Sequence, residues 1–223
     1  MGKNFSQRKI AKMLIETMDK SRIEYDRNKE TRLSDTPEYF ITVNAFNRIN
    51  KEYSSVDGLN VTMEWNVKKA LEEIVQKYNN GRRKPGRPAK GMREDGRFDL
   101  ALWHKNLLYG FVEVKKSKHA KEKYMSDLKR IRAVLKEARN YKKSVKGFFA
   151  FYLERRDNKN GKLAETKILE YVKDMRMYIE NFFKDEFNFQ IISGKPSRYL
   201  GENKNLVYQP FCVVVTIKDL PLK

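Results

Sequence analysis

At 223 residues, with 48 Lys and Arg against 29 Asp and Glu, the chain carries a formal net charge of +19. That excess favours a polyanionic partner, nucleic acid first and an acidic membrane surface second, while 40% hydrophobic content with 13 Phe and 12 Tyr supplies a core and excludes global disorder. The single Cys, Cys212, excludes an internal disulfide framework. No run approaches the ~18 apolar residues of a membrane span, and the polar start MGKNFSQRK lacks the apolar segment of a signal peptide, so a soluble intracellular protein is expected.

Residues 5–20 read as a helix, with Ser6 as a cap and Ile10, Met13, Leu14 and Met18 at helical spacing. Its other face, Arg8, Lys9, Lys12 and Lys20, is either a phosphate contact or a solvated face. Residues 21–35 read as a loop. Thr36-Pro37-Glu38 is a helix start, with a capping hydroxyl, a proline at the first helical position and an acid in the first turn. Tyr39, Val43, Phe46, Ile49 and Tyr53 would share one side of that helix, although the β-branched run Ile41-Thr42-Val43 argues for a strand. Asp57-Gly58 marks a turn.

Residues 62–78 read as a helix with an apolar stripe of Val67, Ala70, Leu71, Ile74, Val75 and Tyr78. Glu64 falls within the stripe's arc; Glu72 and Glu73 fall outside it. An inward acid needs a partner, a metal or a helix terminus, and here the dipole of the first turn is itself one explanation. Residues 79–96 are a break holding four Gly, two Pro and the basic residues Arg82, Arg83, Lys84, Arg87, Lys90 and Arg93.

Next come two short apolar strands over 97–115, RFDLALWHKNLLYGFVEVK. Residues 120–140 read as a helix with Tyr124, Leu128, Ile131 and Leu135 on one face. Residues 145–153 are a nearly all-apolar strand, the pattern of a central strand covered on both faces. Residues 163–184 form a long helix with Ile168, Val172, Met175, Ile179 and Phe182 at helical spacing. Residues 187–192 and 206–217 are closing strands, and Pro210 asks for an edge position or a bulge in the second. The expected class is therefore α/β, a mixed sheet flanked by helices. An N-terminal helical arm over 1–60 would pack on a core domain over 61–223, with 82–96 as its basic loop.

The chemistry concentrates in the hairpin. Asp99 and Glu113 each sit inside an apolar strand, between Phe98 and Leu100 and between Val112 and Val114, where an acid is costly unless satisfied. Side chains alternate faces along a strand, so Glu113 and Lys115 point the same way. Asp99 joins them only if odd residues pair with odd, which a loop of Lys105 to Leu107 centred on Asn106 would achieve. Mg²⁺ takes oxygen ligands and keeps several waters, so two carboxylates and the Val114 carbonyl suffice from the protein. Such an ion polarises a phosphoryl oxygen and lowers the pKa of its bound water, while Lys115 orients that water or neutralises developing charge.

The arrangement of Asp99 followed by Glu113-Val114-Lys115, with a Glu-bearing helix before it, resembles the PD-(D/E)xK nuclease superfamily. The resemblance covers roughly residues 64–153 in the order helix, strand, strand, helix, strand; Phe98 stands where the family often has Pro. It implies a restriction-endonuclease-like core in which Asp99, Glu113 and the Val114 carbonyl are metal ligands. Lys115 would be the catalytic lysine and Glu64 the helix acid, with Glu73 and then Glu72 as substitutes. It implies Mg²⁺, with Mn²⁺ as a substitute, in an endonuclease of the type II restriction kind. Such an enzyme would act as a homodimer on double-stranded DNA in the cytoplasm of a prokaryotic or virus-infected cell.

The segment from Arg83 to Lys90 resembles an AT-hook, whose Gly86-Arg87-Pro88 core would lie in a narrow minor groove. A generic basic loop is the alternative. With Lys116 and Lys118, it would hold DNA beside the site. Two other readings stand beside the first: a structure-specific nuclease such as a junction resolvase, and a DNA-binding protein without catalysis.

Overall fold

The computed structural model describes residues 6–29, 37–53, 58–79, 96–115, 121–141, 143–157, 163–183, 186–199 and 204–218. Among them the elements run α1 (Gln7–Lys29), α2 (Glu38–Tyr53), β1 (Leu59–Asn66), α3 (Val67–Asn79), β2 (Arg97–His104), β3 (Leu107–Lys115), α4 (Lys121–Asn140), β4 (Lys146–Arg156), α5 (Ala164–Phe183), β5 (Phe187–Ser193), β6 (Ser197–Arg198) and β7 (Leu206–Ile217). The strands form one seven-stranded mixed sheet in the order β1-β2-β3-β4-β7-β5, with β6 also on β7. Strand β3 pairs parallel with β4, reached through α4; the other pairings are antiparallel. This is an α/β protein with helices on both faces of the sheet, as the order of apolar runs predicts.

Each sheet face has its own core. Leu100, Leu102, Val112, Val114, Phe148, Ala150 and Tyr152 pack with Ile10, Leu14, Ile41 and Ile49 of α1 and α2. Phe98, Phe111, Phe149, Phe151 and Leu153 pack with Leu71 of α3, Leu128 and Ile131 of α4 and Ile168 of α5. Strand β4 alternates between the two cores, so it is covered on both sides as its unbroken apolar run requires. Burying each such side chain is worth about 1.5–3 kcal/mol.

Several elements depart from the sequence reading. Helix α1 continues through residues 21–29 instead of yielding to a loop, because Ser21 and Arg22 are buried. Ser21 accepts from Asn44 on α2, and the Arg22 guanidinium lies over the rings of Tyr199 and Tyr208. Residues 38–53 are helical despite Ile41-Thr42-Val43, but Ile41, Ala45, Ile49 and Tyr53 face inward and Tyr39 is 57% exposed. The expected stripe was rotated because sequence spacing does not say which side the sheet covers.

Residues 62–66 belong to a strand and not to the helix expected over 62–78. Leu59, Val61 and Met63 alternate toward the core as β1 pairs with β2. The helix begins at Val67, where Asn66 caps it by accepting from the Lys69 N–H at 3.2 Å. Pro210 sits within an uninterrupted β4–β7 ladder, at the place where β7's second partner changes from β5 to β6. On the side away from β4 neither the β5 nor the β6 ladder spans Pro210, which leaves room there for a residue without an N–H.

Candidate active site

The hairpin turn is Lys105-Asn106, both at positive φ (50° and 61°), with His104 paired to Leu107. This two-residue turn replaces the three-residue loop expected from the sequence. Continued at that register, it would set Glu113 against Phe98 and turn Asp99 and Glu113 to opposite faces. A bulge intervenes. Trp103 pairs with Leu108 but Leu102 pairs with Gly110, so Tyr109 is the extra residue and parity changes. From there Leu100 pairs with Val112, and Asp99 and Glu113 occupy the next opposed positions.

A second irregularity lies at the same level. Glu64 has φ 49°, and across it β1 switches core: Met63 packs with the α1/α2 layer, Trp65 with the α3/α4/α5 layer. Strand β2 switches with it, Leu100 facing one core and Phe98 the other. Asp99 sits at the switch, and its carboxylate accepts from the Val114 backbone N–H at 2.6 Å.

Around it a chain of charges closes. Glu113, 1% exposed, accepts from Arg130 of α4 at 2.5 Å. The same guanidinium donates to Asp127 at 3.0 Å and to the Arg97 carbonyl at 2.9 Å. Lys115 Nζ reaches Glu38 Oε1, at the start of α2, at 3.0 Å and Asp127 Oδ2 at 3.8 Å. Lys115 thus joins the two helical layers at the end of β3. The alternation that puts Glu113 and Lys115 on one side holds, since both meet the Asp127–Arg130 pair.

Electrostatics follow from burial. Asp99 is pushed up to about 6, by burial first, against the Val114 N–H and Lys115. Glu113 is held well above the ordinary carboxylate range by burial and then by Asp99 beside it, against Arg130. Burial pulls Lys115 down, but Asp127, Glu38 and Asp99 together hold it above its ordinary value.

The structure therefore brings together Asp99, Glu113, Val114 and Lys115. It does not bring Glu64 to them. Glu64 lies on β1, half exposed, and pairs with Arg97 at 2.9 Å. The helix acid beside Lys115 is Glu38, announced in the sequence by Thr36-Pro37-Glu38. Glu72 and Glu73, the substitutes, lie on α3. Asp127 and Arg130 were not among the expected site residues, although Asp127 stands four and seven residues before the buried Ile131 and Val134. The signal that marks Asp127 is the same one that pointed to Glu64, an inward acid on a helix. Arg82, Arg83, Lys84, Arg87, Lys90, Arg93, Lys116 and Lys118, with the AT-hook-like segment, lie outside the described residues.

Among the described residues no three His, Cys, Asp or Glu side chains form a ready metal cage. Glu38, Asp99, Glu113 and Asp127 lie around Lys115 and Arg130, and the buried pair Asp99 and Glu113 repel each other. No helix among the described residues is long and apolar enough to cross a membrane. No protein-family model, curated protein or solved structure matches this chain.

Proposed function

We propose that this chain is a Mg²⁺-dependent endonuclease of the PD-(D/E)xK kind, cutting double-stranded DNA as a homodimer in the manner of type II restriction enzymes. The observation that carries the reading is the meeting of Asp99, Glu113 and Lys115 at one end of adjacent strands. Two buried carboxylates there repel each other, and a lysine two residues beyond one of them is held charged. The order of elements supports it: a helix with Glu38, strands with Asp99 and with Glu113 and Lys115, then α4 and a β4 parallel to β3. Strand β1 and helix α3 intervene between the first helix and β2.

A divalent cation would relieve the repulsion between the two buried carboxylates. Asp99, Glu113 and the Val114 carbonyl would hold it, and Mn²⁺ would substitute for Mg²⁺. Water and a phosphate oxygen would complete the shell, as suits Mg²⁺. When bound, the ion polarises the phosphoryl group and activates water. Lys115 neutralises charge developing on the phosphate, and Glu38 and Asp127 hold its ammonium in place. Arg130 orients Glu113 and favours its ionised form against the burial that opposes it.

The test is supercoiled plasmid incubated with protein and Mg²⁺, with EDTA, and with Asp99→Ala. The expected result is nicked and linear DNA from the wild type alone, only with metal. Discrete fragments would mark restriction, and cutting of branched DNA alone would mark a junction nuclease. Retardation of DNA without any cutting under Mg²⁺ or Mn²⁺ would overturn catalysis in favour of a binding protein.

A further inference from the structure

Away from the cluster, α1 and α2 pack side by side and enclose a groove of about 600 Å³. Lys9, Lys12 and Lys20 of α1 and Arg48 and Lys51 of α2 line it, against Glu16 and Glu52. The two acids are each taken: Glu52 by Lys9 at 3.0 Å and Glu16 by Arg48. Lys12, Lys20 and Lys51 are exposed and make no ion pair with another described residue, so three positive charges remain over the groove. Met13 is buried beneath them.

Helix α2 connects this groove to the cluster. Its first residue, Glu38, holds Lys115, and ten and thirteen residues later the same helix presents Arg48 and Lys51. At 1.5 Å per residue those positions lie roughly 15 and 20 Å along the axis from Glu38. With one phosphate per strand for about every 3.4 Å of duplex axis, that is a separation of about four to six nucleotides along the axis. We propose that the α1–α2 groove is a second nucleic-acid contact, gripping the phosphate backbone away from the phosphodiester that meets Lys115. The inference rests on nucleic acid being the partner. Charge carries it: the groove offers lysines unengaged by described neighbours, backed by ion pairs that fix the two helices together. It reads no bases, so its contribution is independent of sequence and sensitive to salt.

The experiment compares the salt dependence of binding to a short duplex in Ca²⁺ for three full-length proteins. These are the wild type, Lys12→Gln with Lys51→Gln in the groove, and Lys173→Gln with Arg176→Gln on the exposed face of α5. Both variants lose two positive charges. Each lost phosphate contact lowers the slope of log K against log salt by about 0.9, so the groove variant is expected to lose nearly two and the α5 variant almost nothing. Equal slopes in all three proteins, or equal losses in both variants, would overturn the groove. So would an unchanged DNA slope with lost binding to phosphatidylserine vesicles, which would assign the surface to a membrane. A wild type that shows the expected pattern but never cuts DNA would remove the nuclease reading and leave the groove. One that cuts without the pattern would remove the groove alone.

Discussion

Burial alone draws the Lys115 ammonium toward neutrality, yet Asp127, Glu38 and Asp99 hold it charged above its ordinary value. A lysine in that state is a fixed positive charge and a poor base. Lys115→Met, which keeps the stem and removes the charge, is expected to lower the single-turnover rate at saturating DNA by about 10²–10³-fold. Quench-flow on a defined duplex checks it, and a rate within a few-fold of wild type would place the charge elsewhere. Asp99 titrates in the opposite sense to most folded carboxylates, raised to about 6 from 3.8 by burial. An acid whose proton binds more tightly in the folded state contributes stability below its unfolded value, and loses it as pH rises through the folded one. Asp99→Asn still offers an oxygen to the Val114 N–H. In EDTA it is expected to melt with the wild type below pH 3.8 and above it once pH exceeds about 6. Thermal melts across that range decide; a variant less stable at high pH would show the carboxylate to be net stabilising.

Among the elements, α4 positions the cluster, because it carries both Asp127 and Arg130 on the core side of one helix. Its distance from the sheet is set at Gly147 of β4, where an added Cβ would lie 2.6 Å from Ile131 Cγ2. Gly147→Ala is expected to cost about 1–3 kcal/mol, as overpacking in a dense core does, and to weaken the Arg130–Glu113 contact by moving the helix. Adding Ile131→Leu should recover part of the loss in urea denaturation, since leucine keeps the volume but lacks the Cγ2 methyl in the way; no recovery would mean the strain lies elsewhere. The hairpin makes a related point about legibility. That Glu113 and Lys115 share a side was readable from strand alternation, whereas Asp99 joined them only on condition of an odd loop. How it joins them was not readable, because Lys105-Asn106 and the Tyr109 bulge change parity twice. Nor was the strand character of residues 59–66 readable against the helical spacing of Val67, Ala70 and Leu71, until pairing with β2 fixed where one pattern stops.

For the whole molecule, the net charge of +19 sets the expected partner and its salt dependence. Deleting residues 82–90 removes Arg82, Arg83, Lys84, Arg87 and Lys90, and if all five touch phosphate the binding slope falls by about 4.5. Fluorescence anisotropy over a salt series measures it, and an unchanged slope would take that segment out of the contact.

The sequence by itself determined what depends on neighbours along the chain: the α/β class, most helices and strands, the central β4, and the triplet Glu113-Val114-Lys115 with Asp99 beside it. Those follow from periodicity, caps and the cost of burying an acid among apolar residues. Tertiary structure alone decided which distant charges complete the cluster. Glu38 is 77 residues from Lys115, while Asp127 and Arg130 lie on the helix that follows its strand. Glu38 and Asp127 meet Lys115, and Arg130 meets Glu113 and Asp127, because α2 packs on one face of the sheet and α4 on the other, with Lys115 at the strand end where the layers meet. Glu64 was lost to the cluster for the same reason: pairing of β1 with β2 sends it to Arg97 at the surface.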